Sequence, residues 1–207
     1  MMMKQLKFIK FVTILILLTT YSLKSQSLKE EIEVITPIYT VVYSETKEQP
    51  ISLIYLSTNR EKNVSRESMD FYKEKNYHTS DAADYYKNPY DKGHLAPAAT
   101  FSDSEENLKL TFSYLNCALQ DKRLNRYLWK YLEAEEREWD NKQPLRVTID
   151  IKFSDSIIPT GATLPSRFIK HILFTSDNQY RCFDFPNSSD LPKEKEFLGK
   201  YEVKHSH

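Results

Sequence analysis

Hydrophobic and polar positions along this chain alternate first with the period of strands and later with that of a helix. Ile35 to Tyr43 (ITPIYTVVY) and Ile51 to Leu56 (ISLIYL) are rich in β-branched and aromatic residues, and Glu48, Gln49 and Pro50 between them have turn character. They predict an antiparallel pair. Asn59 to Tyr90 then loses all periodicity and scatters Arg60, Lys62, Arg66, Lys73 and Lys75 among acids and tyrosines. A non-periodic excursion of that length inside a domain more often binds or acts than merely connects. Phe112 to Leu119 (FSYLNCAL) alternates well enough for a further strand, with Asn116 inside it. If buried, that amide needs hydrogen-bond partners.

The helical period appears in Asp121 to about Trp139. Leu124, Tyr127, Leu128, Tyr131 and Leu132 fall at helical spacings on one apolar stripe, and Asp121 is placed to cap its start. Asn125, Trp129 and Glu133 each stand one residue beyond the stripe, so they share the flank of the buried face where a cleft could lie. Lys122, Arg123 and Arg126 crowd the N-terminal end, and Glu133, Glu135, Glu136 and Glu138 load the other. That order opposes the helix dipole, and an anion held at the basic end would turn the cost into binding.

Beyond a turn at Asn141 to Pro144, Arg146 to Phe153 alternates cleanly as a half-buried strand. IPTGATLP (158–165) is expected to be a loop, Phe168 to Phe174 and Tyr180 to Phe185 are expected strands, and the polar stretch from Pro186 onward is expected to fray. Strands around one clear helix argue for an α+β domain.

The first 25 residues change the charge picture. Lys4, Lys7 and Lys10, an apolar run from Phe11 to about Thr20, and small residues suited to cleavage after Ser22 or Ser25 have the layout of a secretory signal. The apolar run is shorter than the roughly 20 residues a membrane span needs. A secreted or periplasmic protein without stable membrane association is the expectation. The whole chain balances 29 basic against 29 acidic side chains. Loss of residues 1–25 removes four lysines and no acid, leaving residues 26–207 mildly acidic. A globally basic coat for nucleic acid is excluded, although a local basic groove is not. That length suits one domain with its own core. In an oxidising compartment the two cysteines, Cys117 and Cys182, could pair or remain as buried thiols.

The sharpest candidate chemistry lies in Tyr90 to Phe101, YDKGHLAPAATF. His94 follows Asp91, Lys92 and Gly93. Imidazole is the usual side chain for moving protons near neutral pH, and flanking charges set its state. With only three glycines in the chain, one beside this histidine marks a backbone position of unusual torsion or close approach. A solvated surface turn is the bland alternative.

Asp91, Lys92, Gly93 and His94 followed by LAPA, then Asn116 with Gln120, then Leu124 and Asn125 with Trp129 and Glu133, together resemble the DNA/RNA non-specific endonuclease family. That family carries D-R-G-H-x-A-P, S-N-x-x-P-Q and L-N-x-x-x-W-x-x-L-E in this order. Arg66 with Phe71 is similar to its R-x-x-x-F region and IPTGATLPSRFIK to its later strand, so the resemblance covers about residues 35–187. Lys92 stands where the family has arginine, and LNCALQ lacks the family's proline.

The resemblance implies a ββα-metal fold, mainly antiparallel sheet with a metal-site helix and long loops. It implies hydrolysis of DNA or RNA with Mg²⁺, or Mn²⁺ in its place. His94 would be the general base, Asn125 the one direct ligand of the ion, and Glu133 the group that holds the ion's water. Arg66 and Lys92 would stabilise the transition state, and Lys122 and Arg126 would help to bind substrate. Asp91, Gly93, Asn116, Gln120 and Trp129 would support the site. Two other readings remain open: a catalytically weak nucleic-acid-binding protein on the same fold, and an adhesive domain whose His94 and Asn125 lie on opposite faces.

Overall fold

A computed structural model describes residues 28–204, so the expected signal segment lies outside the described residues. Its main layer is a six-stranded antiparallel sheet of β1 (Ile32–Ile35), β2 (Tyr39–Ser44), β3 (Gln49–Ser57), β6 (Leu145–Ile157), β7 (Thr163–Phe174) and β8 (Tyr180–Pro186), hydrogen-bonded in that order. A separate two-stranded ribbon pairs β4 (Tyr90–His94) with β5 (Cys117–Asp121), Gly93 opposite Ala118 and Asp91 opposite Gln120. The helix after β5 packs its apolar side on the large sheet. Two strands and a helix thereby form one unit on the sheet's buried face.

The expected pairing of the first two strands holds, with one correction. ITPIYTVVY is not a single strand. Pro37 interrupts it, and the Thr36 N–H and hydroxyl both donate to the Tyr39 carbonyl, at 2.9 and 2.7 Å, closing a turn between β1 and β2. FSYLNCAL also divides. Tyr114–Asn116 form a 3₁₀ turn capped by Ser113, and the strand begins only at Cys117 and runs to Asp121. Just before this segment the pattern missed α1, Glu105–Thr111, although Ser104 accepts from the Asn107 N–H at 3.1 Å and Glu105 and Glu106 load the first turn as a helix start requires.

In β6, Leu145, Val147, Ile149 and Ile151 are buried alternately, as the sequence pattern requires. The strand nevertheless runs to Ile157, and β7 begins at Thr163, so the expected loop shrinks to a turn about Ile158–Ala162. Gly161 sits there at φ +122°, a torsion that L side chains avoid. On β7 the inward positions are Phe168, Lys170 and Ile172. Lys170 is completely buried, and its ammonium lies 2.8 Å from Glu136 and 4.0 Å from the Trp129 ring centroid. The second oxygen of Glu136 accepts from the Tyr55 hydroxyl at 2.6 Å, so this buried charge pair is satisfied on both sides.

The segment after Pro186 does not fray. Asn187 accepts from the Asp121 N–H at 2.6 Å and donates to the carbonyls of Leu119 and Pro165, joining the ribbon to the sheet. Leu191 and Leu198 are buried, the latter on a 3₁₀ segment, Lys195–Tyr201, and Arg181 grips Glu202 through two nitrogens. Cys117 and Cys182 are both buried and both free. Among the described residues no helix is long and apolar enough to cross a membrane.

Candidate active site

His94 closes β4 and is fixed through its backbone and its ring. The indole N–H of Trp129 donates to its carbonyl at 3.3 Å. Asn116, wholly buried, accepts from the Ala96 N–H at 2.7 Å and donates to the carbonyls of Ala96 and Thr111. The chain leaving His94 is therefore clamped by the amide expected to shape the site. Phe71 and Phe112 both lie 4.9 Å from the imidazole, centroid to centroid, and pack against it. Phe71 reaches it because the 59–90 excursion is docked: Asn63 and Val64 donate to the Ser102 carbonyl, and Tyr72 bridges to Ser113.

Gly93 has no unusual torsion; its requirement is space. A Cβ there would stand 2.5 Å from Gln120 Oε1 and 2.6 Å from Gln120 Cβ. Gln120 thus acts as packing against Gly93.

His94 Nε2 is buried and has no hydrogen-bond partner. Burial, and then the nearby charge of Arg66, press the imidazole pKa down from 6.5 to about 4. The ring is neutral at ordinary pH, and its Nε2 is committed to no other group. It opens on a cleft of ≈ 490 Å³ whose other walls include Arg66, Asn125, Arg126, Lys130, Glu133 and Arg137. His94, Arg66, Asn125, Arg126 and Glu133, five of the expected site residues, therefore meet in one space. The adhesive reading, which needs His94 and Asn125 on opposite faces, does not fit that geometry.

The helix meets the cleft in an altered phase. Asp121 caps it through the Arg123 N–H at 2.8 Å, as expected, but Leu124–Trp129 form a π-helical turn before α2, Lys130–Asp140, resumes the α-helical period. The wider turn rotates the residues beyond it about the helix axis. Trp129, expected on the cleft flank, is buried in the core against Phe168, while Tyr127 and Tyr131, expected in the stripe, are only partly buried. Asn125 and Glu133, on either side of the π-turn's end, still face the cleft.

Asn125 donates its amide nitrogen to Asp91 at 3.1 Å, which leaves its carbonyl oxygen free. Arg126 holds the same Asp91 through two nitrogens at 2.7 and 2.8 Å. Burial alone would raise the Asp91 pKa, and the bonds from Arg126 and Asn125 outweigh it and hold the carboxyl below its usual range. Glu133 shows the opposite balance: desolvation, opposed by Lys170, lifts it to about 7. A neighbouring cation would restore its charge.

Among the described residues no three His, Cys, Asp or Glu side chains converge on a metal position. A cation here would need to bind few protein ligands and keep most of its water, which is the habit of Mg²⁺. One free amide oxygen, one desolvated carboxyl and one unpartnered imidazole nitrogen fit such an ion.

Two expected substrate groups lie outside the cleft's walls. The Lys92 ammonium stands 5.1 and 5.6 Å from the ring centroids of Phe71 and Tyr114, and Lys122 approaches the Asn88 carbonyl at 3.4 Å. Arg126 lines the cleft while committed to Asp91. Arg137, which the sequence pattern did not single out, also lines it and keeps a buried Nη1 without a partner. Its signal was its place four residues after Glu133, one turn further along the same face.

A family model described as DNA/RNA non-specific endonuclease matches residues 21–204. Mitochondrial endonuclease G of Bos taurus is 37% identical over 76 residues, covering 35% of this chain and 25% of that protein. The chain thus matches about a quarter of that relative's length. A crystal structure of the EndoG/EndoGI complex, which bears on the mechanism of EndoG inhibition, superposes with a TM-score of 0.70. It covers 86% of this chain and 81% of that one at 21% identity, a likeness of fold.

Proposed function

Since the chain belongs to the DNA/RNA non-specific endonuclease family, we propose that it hydrolyses phosphodiester bonds of DNA or RNA, without sequence or sugar preference, in a Mg²⁺-dependent reaction with His94 as general base. The observation that carries this reading is the neutral, buried and unpartnered His94 Nε2 in the same cleft as Asn125 and Glu133.

In the proposed reaction His94 Nε2 takes a proton from water as the water oxygen bonds to phosphorus. The bond from phosphorus to the leaving sugar oxygen then breaks, that oxygen takes a proton from solvent water, and His94 returns its own proton to solvent. Arg66 and Arg137 face the space where the non-bridging oxygens gain charge, and fixed donors in a desolvated cleft stabilise such charge strongly. Burial, and secondarily the charge of Arg66, keep His94 neutral in the free protein, and a phosphate drawn to Arg66 would offset the Arg66 part and make the imidazole more basic. A divalent ion held by Asn125 Oδ1, with Glu133 steadying its hydration, would supply charge neutralisation at the phosphate. Asp91, which fixes the Asn125 amide, would orient that ligand oxygen toward the ion. Recognition through phosphate rather than base edges carries little sequence information and weakens steeply with salt. The signal-like residues 1–25 support secretion or a periplasmic location for this activity.

The test is nicking of supercoiled plasmid with Mg²⁺, with EDTA, and with His94→Ala. Cleavage by the wild type that EDTA and the substitution both abolish is expected. Plasmid left intact with Mg²⁺ or Mn²⁺, yet still bound, would leave the non-cleaving alternative, which the displacement of Lys92 toward Phe71 and Tyr114 favours.

A further inference from the structure

Beside the cleft lies a second, smaller cavity of ≈ 180 Å³, and Ala99 and Arg137 line both. It is too small for the roughly 300–1,000 Å³ that drug-sized ligands fill. Three polar atoms on its lining residues are buried without partners: Arg60 Nε, Thr100 Oγ1 and Arg137 Nη1. Thr100 is only 5% exposed. Native proteins pair nearly all such atoms, because a buried donor with no acceptor costs free energy. Three on residues that line one cavity suit an acceptor with several oxygens.

Arg60 is held in place beforehand. Arg60 Nη1 bonds Asp103 at 3.0 Å and its guanidinium lies 5.2 Å from the Phe101 centroid, while Asn107 holds the same Asp103 oxygen at 2.9 Å. Lys62 adds a positive charge. Glu138 and Asp140 also line the cavity, and Asp140 accepts from the Ser57 hydroxyl at 2.6 Å. Among the lining side chains Arg60, Lys62 and Arg137 outnumber these two acids by one, and the Asp103 paired with Arg60 balances that excess, so a bound phosphate would be met by donors rather than by net charge.

We propose that this cavity is a subsite for a second phosphate of the nucleic-acid backbone, adjoining the one being cleaved, and held by Arg60, Thr100 and Arg137. The inference rests on the nuclease reading above. It gives the shared wall at Arg137 a reason: one guanidinium spans the scissile position and its neighbour, so the backbone is gripped at two points and aligned before reaction.

The experiment compares wild type with Arg60→Ala, Arg60→Lys and Thr100→Val on two substrates, plasmid DNA and bis(p-nitrophenyl) phosphate, which offers a single phosphodiester. On plasmid, Arg60→Ala is expected to lose about tenfold or more in kcat/KM, Thr100→Val less, and Arg60→Lys to recover part of the loss. The salt dependence should become shallower by about 0.9 in log–log slope, as for one lost phosphate contact. On the small diester all four proteins should agree within about twofold. Equal losses on both substrates would reduce Arg60 to a structural role, and an unchanged plasmid rate and slope would overturn the subsite. If wild type cleaves neither substrate, the nuclease reading falls. The subsite is then decided by anisotropy of a labelled 20-mer duplex across salt concentrations, where an Arg60→Ala slope equal to wild type rejects it. Stabilisation of wild type, but not Arg60→Ala, by inorganic phosphate, with plasmid cleavage unaffected by the substitution, would mark a free-anion site and likewise overturn the proposal.

Discussion

Asn125 gives its amide nitrogen to Asp91 at 3.1 Å, and this one bond decides which end of the amide looks into the cleft. Asp91 is itself anchored by the two nitrogens of Arg126, so the orientation runs from an exposed arginine through a half-buried carboxylate to the expected metal ligand. Asp91→Ala should weaken Mg²⁺ by about 10- to 100-fold, the usual cost of losing a partner that orients a ligand. Titrating Mg²⁺ against rate checks it. Raised Mg²⁺ should rescue Asp91→Ala and leave Asn125→Ala inactive. Equal response of the two variants would contradict the orienting role.

The depressed His94 pKa fixes two pH dependences. Because the ring stays neutral down to about pH 4, kcat/KM at saturating Mg²⁺ should hold its plateau at pH 5.5, where an ordinary imidazole of pKa 6.5 would be mostly protonated. An acid limb centred at 6.5 or above would contradict that. For stability, the folded pKa lies below the unfolded one, so below pH 6.5 the unfolded chain binds a proton that the native ring refuses. Stability is then lost as pH falls from 6.5 toward about 4, to a total on the order of 3 kcal/mol at 1.36 kcal/mol per pKa unit. Urea titrations of wild type and His94→Asn across that window should show a shallower slope in the variant.

Glu133 behaves in the reverse sense. Its pKa is raised from 4.5 to about 7, so its contribution is whole below pH 4.5 and is lost as pH rises through 7, when the carboxyl must ionise in a desolvated place. Without divalent ion, Glu133→Gln should therefore be more stable than wild type at pH 8 by about 1 to 3 kcal/mol and equal to it near pH 4.5. The same substitution should lower plasmid cleavage at least about tenfold, so that function is lost where stability is gained.

Lys92→Arg should preserve or raise the cleavage rate. The ammonium now rests over Phe71 and Tyr114, and a planar guanidinium stacks on such rings at least as well while reaching further. A collapse in rate with unchanged melting temperature would assign the lysine a role its ring contacts do not explain.

Lys170 and Glu136 form a wholly buried pair 2.8 Å apart beneath Trp129. Replacing Lys170 by Met alone leaves a buried, unpaired carboxylate and should cost roughly 3 to 5 kcal/mol in urea unfolding. Lys170→Met with Glu136→Gln should recover much of that, since the amide keeps a partner in Tyr55. Equal losses in the single and double variants would mean that packing, not charge, sets the cost.

The sequence was most informative where function depends on local pattern. Alternation in β6 placed Leu145, Val147, Ile149 and Ile151 inward, and the order of Asp91 to His94, Asn116, Asn125 and Glu133 carried the family resemblance over most of the chain. It was misleading where a local period met a tertiary demand. The α-helical stripe put Tyr127 and Tyr131 in the core, but the π-turn inserts extra arc and sends Trp129 there instead, where its N–H meets the His94 carbonyl and its face meets Lys170. Nothing in a heptad-scale pattern signals that change, because the contacts that hold the π-turn come from β4 and β7.

By itself, then, the chain determined the strand faces, the helix that carries Asn125 and Glu133, and the identity of the reactive groups, since these depend on side-chain chemistry and periods of a few residues. Folding in three dimensions decided what those groups can do. Burial between Phe71 and Phe112 makes His94 neutral, desolvation lifts Glu133, the Asp91 contact aims Asn125, and proximity brings Arg137 into the cleft while Lys92 turns aside. Those properties depend on distance and dielectric between residues far apart in sequence, which no local pattern encodes.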